Sequence, residues 1–190
     1  MDDWKEVWDR KGNSDTCNLR WLNGYEATQA DGKSIVKAIV EALDISMHYR
    51  VLEIGCGAGY LAQFVAECCR YSGVDRSKPL VQKHRKILGT DVCVAEANNI
   101  PFSDKSFDRV FCHGVFHYFP DYEYAQQVVL EMSRVSSGPI FISDLPLKSS
   151  RNSHLLFHPR MFAGHLISLS NGLYEPHVRS RFNVLIQRPK

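Results

Sequence analysis

The segment VLEIGCGAG, residues 51–59, is the strongest indication of the fold of this 190-residue chain. A strand-forming apolar run leads into glycines at alternate positions, Gly55, Gly57 and Gly59. Glycine lets the main chain turn sharply and approach a ligand where a Cβ would clash. In an open parallel sheet, ligands bind in the crevice beyond the carboxyl ends of the strands. The segment therefore predicts a first parallel strand and a ligand-binding turn, with an ordinary glycine-rich turn as the simpler interpretation.

Strand and helix patterns alternate along the rest of the chain. The predicted strands are 50–54, 71–75, 92–95, 108–112, 139–143, 165–170 and 181–187. Helical patterns separate the first five, which is typical of a parallel sheet with helices on both faces. The last two have only a short connection, so they form an antiparallel pair. We therefore predict a Rossmann-like α/β fold: a seven-stranded, mostly parallel sheet with an antiparallel C-terminal hairpin and helices on both faces.

Length and composition indicate one ordinary globular domain over residues 1–190. We divide it into an N-terminal lid segment (1–30), a ligand-binding core (31–144), and a substrate-side loop with the C-terminal hairpin (145–190). Net charge is +2, without a basic patch, so no nucleic-acid partner is expected. No secretory signal, membrane span or Cys-x-x-Cys pair is visible, which favours a cytoplasmic protein with reduced thiols and no metal site.

Asp75 is the second residue that points to chemistry. It ends the second predicted strand, 20 positions after Gly55. A carboxylate at that place accepts hydrogen bonds from ribose hydroxyls, which predicts a cofactor that contains adenosine. A nicotinamide dinucleotide is one such cofactor, although its fingerprint spaces the glycines differently. A plain strand-end cap is the simpler interpretation of Asp75.

A third motif follows the third strand: AEANNIPF at residues 95–102, then SFD at 106–108. Together with the glycine turn and Asp75, it closely resembles the class I S-adenosylmethionine (SAM)-dependent methyltransferases, particularly the branch that includes the ubiquinone and menaquinone methyltransferases. The resemblance is dense over residues 50–144. It implies SAM as the cofactor and S-adenosylhomocysteine as its product, and it disfavours the nicotinamide alternative.

The resemblance also implies roles for individual residues. The glycines line the methionyl part of SAM, Glu53 orders the turn, and Asp75 holds the ribose. Glu96 occupies the place where the family commonly has Asp, which bonds the adenine amino group. The whole predicted cofactor set is Glu53, Gly55, Cys56, Gly57, Gly59, Asp75, Arg76, Glu96, Ala97 and His113.

Histidines after the fourth strand are the candidate catalytic residues. An oxygen acceptor must lose its proton, and a histidine near neutral pKa suits that task. His117 is the first candidate for the base or the acceptor-binding group, followed by His113. Asp144, just past the fifth strand, is the third. Packed structural histidines and a turn-capping aspartate are the alternatives.

Aromatic and histidine residues outside the core are candidates for a lid. Tyr25 and the tryptophans of the N-terminal segment either cover the pocket or pack on the sheet: Trp4, Trp8 and Trp21. His154 and His158 either join the lid or are solvated. The predicted function is methyl transfer from SAM to an oxygen or nitrogen atom of a small molecule, such as a metabolite, sugar or lipid headgroup. A non-catalytic SAM-fold accessory protein is the alternative, and the oligomeric state stays open.

Overall fold

A computed structural model describes residues 3–26, 31–148, 153–173 and 180–187. The helices are α1 Trp4–Gly12, α2 Leu19–Leu22, α3 Gly32–Leu43, α4 Ala62–Val65, α5 Lys78–Leu88 and α6 Tyr122–Val135. The strands are β1 Arg50–Ile54, β2 Arg70–Asp75, β3 Asp91–Val94, β4 Arg109–His113, β5 Ile140–Pro146, β6 Leu166–Asn171 and β7 Arg181–Gln187. Short 3-10 turns lie at Phe116–Tyr118 and Pro159–Phe162.

The seven strands form one sheet in the order β3-β2-β1-β4-β5-β7-β6. Strands β1 to β5 pair in parallel, whereas β7 is antiparallel to both β5 and β6. The predicted fold class is therefore confirmed, including the C-terminal hairpin. Strand β1 is the middle one of the five parallel strands, with β2 and β3 on one side and β4 and β5 on the other. The strand order therefore reverses beside β1, and a crevice opens there beyond the carboxyl ends of the strands.

Alternate residues of the central strands supply the two faces of the core. Val51 and Phe111 pack toward α3 and α4, while Leu52 and Val110 pack toward α6. All four side chains are fully buried. Because both faces of the parallel strands are covered, these strands read as continuous apolar runs and not as polar–apolar alternation.

Helix starts follow the capping residues that the sequence indicates. Asp31 accepts hydrogen bonds from the backbone N–H groups of Lys33 and Ser34 at the start of α3. Ser77 and Asp121 cap α5 and α6 in the same way. A side-chain oxygen at this position satisfies N–H groups that have no partner within the helix.

Two elements differ from the predicted bounds. The helix expected over 60–70 is reduced to α4, Ala62–Val65, because the backbone N–H of Arg70 already donates to the carbonyl oxygen of Tyr49 and begins β2. Strand β5 continues three residues further than predicted, through Pro146, because β7 pairs with it past a bulge between Ile142 and Leu145. In both places tertiary pairing overrides the local pattern.

Among the described residues, no helix combines the length and apolarity that crossing a bilayer requires.

Candidate functional site

A cavity of about 340 Å³ opens at the carboxyl ends of the parallel strands. The glycine turn after β1, the end of β2 and the segment after β3 form one side of it. The ends of β4 and β5 form another, and the N-terminal segment, residues 3–26, covers it. Its lining includes residues from each of these parts: Trp4, Trp8, Asn23, Tyr25, Glu53, Gly55, Gly57, Asp75, Arg76, Ala97, His113, His117, Tyr118, Tyr124, Asp144, His154 and Arg181.

Asp75 holds the glycine turn in place. Its Oδ2 accepts the backbone N–H of Gly57 at 2.8 Å, and its Oδ1 accepts that of Ser77 at 2.8 Å. Gly57 has φ +52°, a conformation that L side chains rarely adopt. Burial raises the pKa of Asp75, and the two N–H donors oppose that shift. An ionised carboxylate has about four acceptor positions, so Asp75 keeps capacity for ribose hydroxyls.

The close approaches at the glycines are made by protein side chains. A Cβ on Gly55 would lie 2.4 Å from Val115, and one on Gly57 would lie 2.3 Å from Nδ2 of Asn23. A Cβ on Gly59 would meet Leu88, so this glycine faces α5 and not the cavity. The glycines are thus needed for packing around the turn. Gly55 and Gly57 also line the cavity, and their contact with a ligand stays a prediction.

His84, on α5, supports the turn from below. Its Nδ1 lies 3.1 Å from the carbonyl oxygen of Gly57, and its Nε2 lies 2.8 Å from Oγ1 of Thr90. Burial lowers the pKa of His84 to about 4, so the ring is neutral. A neutral imidazole has one donor and one acceptor. Since the carbonyl can only accept, Nδ1 donates to Gly57 and the Thr90 hydroxyl donates to Nε2.

Glu53 faces the cavity from β1 but is paired within the sheet. Its side chain is 4% exposed, and its Oε2 accepts the hydroxyl of Tyr71 at 2.7 Å. Burial raises the pKa of Glu53 to about 8. The carboxyl group is therefore mostly protonated at neutral pH and adds little negative charge to the cavity. Cys56, next to the turn, is fully buried against Gly73 and is not part of the lining.

A charged pair lies beside the cavity where the segment after β3 lines it. Oε1 of Glu96 lies 3.8 Å from Nε of Arg76, and its Oε2 accepts the hydroxyl of Tyr124 at 2.8 Å. Glu96 is exposed and lies outside the lining, whereas Arg76, Ala97 and Tyr124 form the cavity wall. Glu96 therefore positions its two neighbours, and its predicted contact with adenine stays a prediction.

His113 ends β4 and faces the cavity from its floor. The ring is 6% exposed, and its Nδ1 lies 2.8 Å from Oγ of Ser143 on β5. Burial, with the positive charge of Arg181, lowers the pKa of His113 to about 3. Its Nε2 is buried and has no hydrogen-bond partner among the described residues. A buried polar atom of this kind usually marks a place for a ligand or water.

Asp144 lies in the bulge of β5 and is 1% exposed. Its Oδ2 lies 2.7 Å from Nη1 of Arg181, which also donates to the carbonyl oxygen of Asp144 at 3.0 Å. The backbone N–H of Asp144 donates to Oδ1 of Asn183. With φ +68°, the residue adopts a left-handed conformation that stores strain. Asp144 is thus an ion-paired residue of the cavity wall.

His117 belongs to a group of aromatic rings, packed against one another in tilted and edge-on arrangements, that we call the aromatic wall. It comprises Trp4, Trp8, His117, Tyr118 and His154, all of which line the cavity. Tyr118 is central: its ring centroid lies 4.7 Å from that of Trp4, 5.3 Å from Trp8 and 4.0 Å from His117. The wall therefore joins α1, the turn after β4 and the segment before β6.

Polar contacts attach the N-terminal segment to the core. Nδ2 of Asn23 donates to the carbonyl oxygen of Cys56 at 3.1 Å. The hydroxyl of Ser77 donates to Asp9 at 2.6 Å. The ring of Tyr25 lies parallel to that of His113, with centroids 6.2 Å apart. Residues 27–30 of the predicted lid lie outside the described part of the chain, as do residues 1 and 2.

The structure thus brings most of the predicted residues to one cavity but not all of them. The predicted residues outside its lining are Cys56, Gly59, Glu96, Trp21 and His158. His158 instead accepts the backbone N–H of Arg160 in an exposed 3-10 turn. Five further residues contribute to the site and were not predicted: Asn23, His84, Tyr124, Ser143 and Arg181. Only His84 carries a sequence signal, because it lies on the apolar stripe of α5 with Leu80 and Val81.

The sequence of this chain resembles those of known methyltransferases. The family described as a methyltransferase domain matches residues 52–140. The methyltransferase GfsG of Streptomyces halstedii is 29% identical over 130 residues, which are 63% of this chain and 46% of that protein. A probable tRNA methyltransferase 9B of Mus musculus is 35% identical over 85 residues, 45% of this chain and 19% of that protein.

The fold also matches a solved structure. Phosphoethanolamine N-methyltransferase 1 of Haemonchus contortus, in complex with phosphoethanolamine and S-adenosylhomocysteine, superimposes with a TM-score of 0.71 at 15% identity, over 98% of this chain and 48% of that one. The chain spans less than half the length of GfsG and of this enzyme.

Residues 52–140 therefore match a methyltransferase domain, and the fold is that of the class I, SAM-dependent methyltransferases, whose cofactor is SAM. The matches do not specify the ubiquinone and menaquinone branch. They also include a relative named for tRNA, so they leave nucleic acid open as an acceptor.

Proposed function

We propose that this chain transfers a methyl group from SAM to an oxygen or nitrogen atom of a small-molecule acceptor. The observation that carries the proposal is the cavity beyond β1, where the glycine turn is bonded to Asp75, His113 ends β4 and His117 lies in the turn that follows. A cavity of about 340 Å³ is at the small end of ligand sites. It therefore suits the cofactor with a small acceptor, or with the reactive end of a larger one.

The residues present fit SAM. Asp75 keeps acceptor capacity for the ribose, and Ala97 and Tyr124 form an apolar wall for the adenine. The glycine turn with Glu53 borders the place for the methionyl part. When bound, SAM supplies a methyl group on a sulfonium, whose leaving group is a neutral thioether. Much of the acceleration of such a displacement comes from holding the acceptor in line with the methyl group.

The histidines take different parts in this proposal. A base works best when its pKa lies near the working pH. His113 has a pKa of about 3 and is therefore a poor proton acceptor at neutral pH. We assign it to hydrogen bonding and orienting the acceptor. His117 remains the proposed base for an oxygen acceptor. Asp144 acts through Arg181, which it holds at the cavity wall.

Isothermal titration with SAM, S-adenosylhomocysteine and NAD⁺ tests the cofactor. Binding of the two adenosyl sulfur compounds without NAD⁺ supports the proposal. NAD⁺ binding alone would overturn it, and no binding to a folded sample would favour the accessory alternative. His117→Ala is the matched variant: with an acceptor in hand, turnover should fall much more than affinity for SAM. His158→Ala, outside the cavity, is its control.

We also propose that the chain acts in the cytoplasm. Its six cysteines are free thiols, and a reducing compartment keeps them in that state.

A further inference from the structure

The glycine turn after β1 has an unusually free main chain. Gly55, Gly57 and Gly59 all have positive φ, at 76°, 52° and 99°. Glycine loses more conformational freedom on folding than any other residue, so three glycines in five positions are difficult to hold in one shape. A site that already has its binding shape avoids this loss of freedom when the ligand arrives. Side chains that fix the turn therefore raise its affinity for a ligand.

Two of the side chains that fix the turn belong to the core next to it. Asp75 at the end of β2 accepts the backbone N–H of Gly57, and His84 on α5 contacts the carbonyl oxygen of the same residue. These contacts hold the peptide groups on both sides of Gly57. Both side chains lie within residues 52–140, the part of the chain that matches the methyltransferase domain.

A third side chain comes from the N-terminal segment, outside that match. Nδ2 of Asn23 donates to the carbonyl oxygen of Cys56 at 3.1 Å, and its Oδ1 accepts the backbone N–H of Tyr60 at 3.4 Å. A carbonyl oxygen only accepts and a backbone N–H only donates, so these two partners fix the orientation of the amide group. One side chain thus bridges the turn from Cys56 to Tyr60, and it leaves no room for a Cβ on Gly57.

The position of Asn23 depends on both helices of the N-terminal segment. Asn23 follows α2, and its backbone N–H donates to the carbonyl oxygen of Leu19 at 3.1 Å. The next residue, Gly24, packs against α1, since a Cβ there would lie 2.9 Å from the ring of Trp8. The amide group therefore reaches the turn only when α1 and α2 are docked on the core.

The same segment also contacts the Asp75 side of the site. Asp9 on α1 accepts the hydroxyl of Ser77 at 2.6 Å, and the backbone N–H of Ser77 donates to Asp75 at 2.8 Å. Ser77 is fully buried. Lys83 on α5 donates to the carbonyl oxygen of Thr16 at 3.0 Å. The N-terminal segment thus holds both the glycine turn and the start of α5, which together form the predicted cofactor site.

We propose that Asn23 is a positioning residue for the cofactor, which bridges the glycine turn and makes binding there depend on docking of the N-terminal segment. The inference rests on the proposed function, since it concerns the SAM site. It adds to that site a residue from outside the family match. Coupling between two binding events is reciprocal, so a ligand at the turn also holds the N-terminal segment more firmly on the core.

Two ligands that share an adenosine test the role of Asn23. The proposed site places the amino acid part of S-adenosylhomocysteine along the glycine turn, and 5′-methylthioadenosine lacks that part. In calorimetry, Asn23→Ala should bind S-adenosylhomocysteine about tenfold more weakly than the native protein, and 5′-methylthioadenosine within about twofold. Asn23→Asp keeps an oxygen for the Tyr60 N–H but cannot donate to the Cys56 carbonyl, so it should lose at least as much affinity as Asn23→Ala.

Two controls separate this local effect from a general loss of stability. Asn13→Ala removes an exposed amide at the end of α1, in the same segment. Asp31→Ala removes the cap of α3 and should lower the urea midpoint without touching the turn. Both should bind S-adenosylhomocysteine like the native protein, and near-ultraviolet circular dichroism checks that each variant folds. An equal loss of affinity in Asp31→Ala would show that stability alone sets the affinity, which overturns the inference.

Hydrogen exchange of the native protein tests the coupling without any substitution. Saturating S-adenosylhomocysteine should slow the exchange of backbone amides in residues 19–26 as well as in the turn, residues 55–60. Slower exchange in the turn alone would overturn the inference, as would native affinity in a folded Asn23→Ala protein. If the native protein itself does not bind S-adenosylhomocysteine, the proposed function fails and this inference fails with it.

Discussion

Replacement of Glu53 by glutamine should remove a pH dependence of stability that one buried carboxyl group imposes. Glu53 is 4% exposed, and burial raises its pKa from an ordinary 4.5 to about 8. Between these two values the folded chain holds a proton that the unfolded chain has lost. This group's contribution is therefore complete below about pH 4.5 and is lost as the pH rises toward 8.

The magnitude follows from linkage. A difference of one bound proton changes the free energy of unfolding by about 1.4 kcal/mol per pH unit. Burial lowers the pKa of His84 to about 4 and that of His113 to about 3, so these rings raise stability as the pH increases to about 6.5. In the unfolded chain both rings are still about half protonated at pH 6.5, so they continue to raise stability above it, but they do so equally in the native and Glu53→Gln proteins. The difference between these two proteins across pH 6.5–7.5 therefore isolates Glu53, which should cost the native protein about 1 kcal/mol relative to the variant.

Urea unfolding at pH 6.5, 7.0 and 7.5 measures this difference. Glutamine keeps an oxygen that accepts the Tyr71 hydroxyl, so Glu53→Gln should fold with an unchanged dependence on urea. From pH 6.5 to 7.5 the free energy of unfolding of Glu53→Gln should rise by about 1 kcal/mol relative to that of the native protein. Tyr71→Phe is the control, because it removes the hydrogen bond and keeps the carboxyl group with its slope. If the free energies of unfolding of the native and Glu53→Gln proteins change equally with pH over this interval, the raised pKa of Glu53 is excluded.

Three further outcomes are expected. Asp75→Ala should weaken binding of S-adenosylhomocysteine in calorimetry by about 1.5–3 kcal/mol for each ribose hydrogen bond lost; equal affinity would remove the ribose assignment. Gly57→Ala should destabilise the chain by about 1–2 kcal/mol from its left-handed backbone alone, and more because its Cβ would lie 2.3 Å from Asn23. Urea unfolding should show a smaller loss in an Asn23→Ala background, and an equal loss would exclude that contact. Asp144→Ala should cost about 3–5 kcal/mol in thermal or urea unfolding, because it leaves Arg181 half-buried without its carboxylate; the double variant with Arg181→Leu should recover part of this, and full additivity would contradict the pairing.

The roles of the two histidines after β4 could not be separated from the sequence. His113 and His117 were both candidate bases, because the sequence only places them after the fourth strand. Packing then separates them: His113 is held by Ser143 and stays neutral, whereas His117 joins the aromatic wall. Environment changes a histidine's pKa by several units, and that environment comes from β5 and α1, which are distant in the chain.

Elements whose causes are local could be predicted from the sequence. The apolar run of β1, the glycine turn 55–59 and the caps of α3 and α5 follow from side-chain periodicity and backbone freedom, so the fold class and the place of the cavity were predictable. Contacts between residues that only the tertiary structure brings together could not be predicted. Asn23 contacts Gly57 across 34 positions of the chain, and Arg181 contacts Asp144 across 37 positions. Only the folded chain brings these partners together. The reason is physical: periodicity records which side of its own element a residue occupies, whereas a contact depends on where another element is placed.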